Sequence, residues 1–132
     1  MTFDINKTIE YWLESAEYDL KTGRSLIESG RYPYALFFGH LTIEKTLKAI
    51  VVKSTKIHAP FSHSLILLAK HSNVDIPEDI FDKLAEYMEF HIESRYPDEK
   101  KNFYDKCTEE FARLKFSEME ETYRWLIQKL RI

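Results

Sequence analysis

The chain has 132 residues, a net charge of −3 and apolar residues at 44%. It is long enough for one domain with a core that needs no covalent staples. Its mixed, slightly acidic charge lacks the basic excess of a free-standing nucleic-acid binder. Cys107 is the only cysteine, so no intrachain disulfide can form and a reducing cytoplasm is expected. MTFDINKTIEYW shows no basic region followed by an apolar block. No signal peptide and no membrane partner are expected from it.

Only three Gly and four Pro punctuate the chain, which favours a few long helices over many strands. Ile9, Trp12, Leu13, Ala16, Leu20, Gly23 and Ile27 recur at helical spacing from about 6 to 29. Asn6 or Thr8 can cap that helix, and Gly30 can end it. Pro33 suits the first turn of the next helix, which should run to about 53 or 54 and pack antiparallel after so short a turn. Residues 55–63 read as a loop and 64–72 as a short helix led by Ser62 or His63. Pro77 opens a fourth helix with Ile80, Phe81, Leu84, Tyr87, Met88 and His91 on one side, stopping before Pro97. Asp98 can cap the segment that follows. A last helix spans about 108–130, with Phe111, Leu114, Met119, Tyr123, Leu126 and Leu130 inward. Ser117-x-x-Glu120 is a capping-box pattern, so a break near 116 is one of its readings. The class is all-α: residues 1–132 form one up-and-down bundle of four main helices plus a short one.

The second helix, FFGHLTIEKTLKAIVV at its heart, is apolar around most of its circumference. Such a helix belongs in the middle of a bundle. Yet it carries His40, Glu44, Lys45 and Lys48. His40, Glu44 and Lys48 follow one line at i, i+4 and i+8, with Glu44 placed before Lys48 in the favourable order. Lys45 points elsewhere. In one reading these groups pair with neighbouring helices and hold the register, since interior charge must be paired or reach water. In the other, a polar cleft lets Lys45 or Lys48 meet a phosphate.

Arg95, Tyr96, Pro97 and Asp98 are explained by turn chemistry, but an Arg beside a Tyr can also grip a nucleotide by phosphate contact and stacking. His40, His58, His63, His71 and His91 show no metal-ligand spacing, and no metal site or cofactor is expected from them. His63 reads as a helix cap or core-facing group before it reads as a ligand. The glycines at 23, 30 and 39 form no phosphate-binding loop.

Trp12-x-x-x-Ala16-x-x-Asp19-Leu20 is followed by Tyr34-Ala35-x-Phe37-x-x-His40-x-x-x-Glu44-Lys45-x-Leu47-Lys48-Ala49, then by Pro60-x-x-His63-Ser64-Leu65 and Arg95-Tyr96-Pro97-Asp98. In that order and spacing the chain resembles the HEPN domain family. The resemblance implies a prokaryotic helical bundle, often a homodimer, commonly encoded beside a minimal nucleotidyltransferase and complexed with it as a toxin–antitoxin-like pair. It also implies nucleotide binding or, in many members, metal-independent ribonuclease activity from an Arg and a His separated by four to six residues. After Arg95 those positions hold Lys100, Lys101 and Asn102, and no other arginine has a histidine at such a distance. Histidine is the usual proton shuttle near neutral pH, so the expected role is binding, not catalysis. Lys45, Lys48, Arg95 and Tyr96 are the expected contacts to nucleotide, RNA or partner, supported by His40, Glu44, His63 and Asp98. A ribonuclease would need Arg95 with a histidine from elsewhere, such as His91 or one across a dimer interface. A purely structural interaction module would need neither ligand nor cleavage.

Overall fold

A computed structural model describes residues 3–131, the side chain of Arg131 excepted. The described residues form six α-helices and no strand: α1 (Ile5–Glu28), α2 (Tyr32–Thr55), α3 (Leu65–His71), α4 (Glu78–Tyr87), α5 (Pro97–Lys106) and α6 (Glu109–Arg131). Two 3-10 turns, Met88–Phe90 and Ile92–Ser94, lie between α4 and α5. The all-helical bundle expected from the sequence is what the chain forms.

Asp4 caps α1 by accepting the Lys7 N–H at 3.0 Å, so the cap falls before Asn6 and Thr8. Gly30 ends the helix with φ of 76°, a left-handed conformation that suits a residue without Cβ. The chain reverses at once, and Pro33 enters the first turn of α2. Trp12 meets Lys48, Ser15 meets Lys45, and Gly23 approaches Ala35, as two antiparallel helices require.

α2 is the centre of the bundle. Its buried residues include Ala35, Leu36, Ile43, Leu47, Ile50 and Val51, on every side of the helix. α1 and α6 pack along it, and α3 and both 3-10 turns close on the remaining faces. Gly39 lies against Met119, and the Lys53 ammonium donates to the Leu130 carbonyl, which sets α6 parallel to α2.

Further expectations about boundaries do not hold. The fourth helix stops at Tyr87, well short of Pro97. Phe90, His91 and Ile92 are all buried where the α-helical ladder gives way to the two 3-10 turns. Asp98 lies within the first turn of α5, and Tyr96 occupies the cap position without a side-chain bond. α6 runs unbroken through 116; Ser117 forms no box, while Glu120 accepts from Arg24 and Arg124. Leu114 points to solvent, not inward.

Candidate functional site

The line His40–Glu44–Lys48 exists along α2, and all three side chains are buried. Glu44 is its hub. Its Oε2 accepts from the Lys48 ammonium at 3.1 Å, and its Oε1 lies 2.9 Å from His63 Nδ1 and 3.7 Å from His40 Nδ1. The Lys48 ammonium sits over the Trp12 ring, 4.9 Å from its centroid. Desolvation of a cation is thus offset by a carboxylate on one side and an aromatic face on the other.

His63 is in the loop before α3. Ser64, not His63 or Ser62, caps α3 by accepting the Leu67 N–H. That leaves the His63 imidazole free to reach across to α2. His91, at the bend between the 3-10 turns, completes the group: its ring centroid is 5.0 Å from that of His40 and 4.4 Å from that of His63. Burial, then the neighbouring His91 and His63 rings, push the His40 pKa down to about 3. Burial, then His63, lowers His91 as well. Both rings are therefore neutral near pH 7.

Of the remaining expected contacts, Arg95 is near enough for its charge to oppose protonation of His40 and His91, whereas Lys45 lies apart from this group. Lys45 faces α1, with its ammonium 2.6 Å from Asp19 and 2.8 Å from the Ser15 hydroxyl. Arg95 donates through Nη2 to the Met88 carbonyl at 2.9 Å and through Nη1 to Glu99 at 3.2 Å. Its Nε is buried and makes no hydrogen bond. Arg95, Asn102 and Lys106 line a groove of about 310 Å³ together with Glu89, Glu99 and Phe103. Tyr96 is exposed, and Asp98 is exposed on α5.

The sequence placed His91 among apolar residues of a helix and gave no sign that it meets His40. Nothing local could have, because the two rings come from segments fifty-one positions apart. Asn102 was visible at the position where a ribonuclease would carry histidine, and the fold sets it in the same groove as Arg95.

The HEPN domain model matches residues 9–130. The chain belongs to the HEPN family. Among solved structures it is similar to TT1696 from Thermus thermophilus, with 22% identity and a TM-score of 0.76 over 92% of this chain and 97% of that one. It is also similar to ST0689, an archaeal HEPN homologue, with 21% identity and a TM-score of 0.69 over 92% and 96% of the two chains. At these identities the likeness is one of fold. No curated protein matches the chain. No helix among the described residues of this HEPN chain is long and apolar enough to cross a membrane.

Proposed function

We propose that this HEPN chain is a non-catalytic accessory subunit of the cytoplasm that acts by binding a minimal nucleotidyltransferase, as one half of a toxin–antitoxin-like pair. One observation carries the reading. Each cation that the sequence offered as a phosphate contact already has a carboxylate: Lys45 has Asp19, Lys48 has Glu44 and Arg95 has Glu99. No histidine follows Arg95 at the nuclease spacing, and His91, four positions before it, is buried. Large apolar side chains stand in solvent, as an interaction surface requires: Tyr11 and Tyr18, seven apart on α1, and Phe61 with Ile57 in the loop before α3. The same surfaces serve a homodimer.

A nucleotide or RNA end also has a place to go, the groove lined by Arg95, Asn102 and Lys106, where Asn102 can orient a phosphate oxygen. That groove belongs to the same binding reading.

Co-expression with the protein encoded beside it, followed by size-exclusion chromatography with light scattering, tests the partner. A stable complex supports the reading, and two independent peaks overturn it. Incubation of the chain with tRNA in chelator should leave the RNA intact. Fragments that vanish with Arg95→Ala would make it a ribonuclease. Titration with ATP by calorimetry, repeated on Arg95→Ala, decides the groove.

A further inference from the structure

The polar group at the centre of the bundle is not explained by partner binding, because it is buried. His40 is wholly inaccessible and His91 and Glu44 nearly so. Neither ring nitrogen of His40, nor Nδ1 of His91, makes a hydrogen bond of good geometry, and the nearby backbone of His63 and His91 gives them only weak partners. Buried polar atoms are normally paired, and two neutral imidazoles side by side have lone pairs with no good partner to receive them.

We propose that His40, Glu44 and His91 form a binding site for a divalent transition ion of the zinc class, which ties α2 to the 3-10 segment between α4 and α5. One ligand atom from each residue lies within 4.8 Å of the other two. Tetrahedral coordination with bonds of about 2.1 Å needs ligand atoms about 3.4 Å apart. Ion binding has to close the difference by side-chain rotation. Two imidazoles and one carboxylate suit zinc and its neighbours, whereas magnesium and calcium take oxygen shells.

The charges around the site are consistent with a divalent guest. Glu44 gives Oε2 to Lys48 and turns Oε1 towards the histidines. Lys48 is a facing cation, drawn towards the Trp12 ring. Arg95 is the second facing cation, and Glu99 offsets it. His63 is the outward member of the group, with its side chain 58% exposed. By donating to Glu44 it orients the carboxylate, the role that outer partners play for metal-bound groups. The site lies too deep for substrate, so the ion's part is structural: it crosslinks α2 to the 3-10 segment at the place where the helical ladder is interrupted.

The full chain, stripped with chelator and dialysed, is titrated with Zn²⁺ by calorimetry and with Co²⁺ by visible absorption. Saturation at one ion per chain, intense tetrahedral-type cobalt bands and a higher Tm with zinc are expected. Glu44→Gln and His91→Gln should each weaken binding at least about tenfold, while His71→Gln, on the surface, should leave it unchanged. Circular dichroism checks that the variants are folded. Should they not fold, imidazole nitrogen shifts of the wild-type chain decide: zinc should move two buried rings and leave His71 and His58 where they were. No binding by the wild-type chain, full binding by the folded variants, or movement of the surface rings instead would overturn the proposal.

Discussion

The Lys45 ammonium and the Asp19 carboxylate are 2.6 Å apart, with side chains 22% and 9% exposed, and they join α2 to α1 in the interior of the helical hairpin. The charge on α2 is thereby spent within the fold. Removal of one partner leaves the other in a poorly solvated place. Asp19→Ala or Lys45→Ala should each lower stability by about 3 kcal/mol, the low end for a buried pair because Lys45 keeps some contact with water. Asp19→Leu with Lys45→Met, which replaces charge by apolar volume, should recover most of that loss. Urea denaturation of the four chains measures it, and equal losses in the single and double variants would contradict the account.

Two helix glycines admit α6 to the hairpin, and they differ in what faces them. A Cβ on Gly23 would lie 2.6 Å from the buried Phe116 ring and 3.3 Å from the Ala35 carbonyl oxygen. A Cβ on Gly39 would meet the thioether end of Met119 at 2.7 Å. A phenyl ring wedged between helices has nowhere to go, whereas methionine adapts by rotation. Gly23→Ala should cost about 1–3 kcal/mol through overpacking. Gly39→Ala should cost less, because the gain of about 1 kcal/mol in helix propensity offsets the shift of Met119. Thermal melting of both variants gives the order.

Much of this architecture was legible because its signals are local. Apolar spacing marked the long helices, Gly30 and Pro33 marked the hairpin, and an all-round apolar α2 marked the centre. The partnership of His40, Glu44 and Lys48 followed from helical spacing alone. What could not be read were pairings across the bundle. Asp19 looked like an ordinary α1 residue until Lys45 met it, and His91 like one more inward residue of α4. Phe90, His91 and Ile92 each have a reason to be buried, but that reason appears only once α2 and α5 flank them. Capping signals misled where competition decided: Ser117-x-x-Glu120 has the right letters, yet Glu120 is held by two arginines and the helix passes through.

Cys107, between α5 and α6, is a buried thiol, not a reactive one. Burial pushes its pKa up to about 12, and the nearby Lys106 only partly opposes this. The thiolate is the reacting species, so iodoacetamide should label the native chain far more slowly than the urea-unfolded chain at pH 8. The folded state holds this proton longer than the unfolded state does. Its contribution to stability is therefore complete below the ordinary thiol range and declines as pH rises above about 9. Mass spectrometry of labelled protein against time checks the first point, and rapid native labelling would refute it.

Glu44 and Lys48 share one ion pair but are not equivalent. Loss of Glu44 leaves the buried Lys48 ammonium without its carboxylate and His63 without its acceptor. Loss of Lys48 leaves Glu44 still accepting from His63 at 2.9 Å. In chelator, so that no metal ion contributes, Glu44→Ala should cost about 3–5 kcal/mol, as expected when a buried charge loses its partner. Lys48→Met keeps the aliphatic packing on Trp12 and should cost clearly less. A double variant, Glu44→Leu with Lys48→Met, should be more stable than Glu44→Ala alone, because the stranded ammonium is gone. Denaturant midpoints at constant slope give the three values. Equal losses for Glu44→Ala and Lys48→Met would mean that the carboxylate serves only Lys48, and that His63 takes no part in holding it.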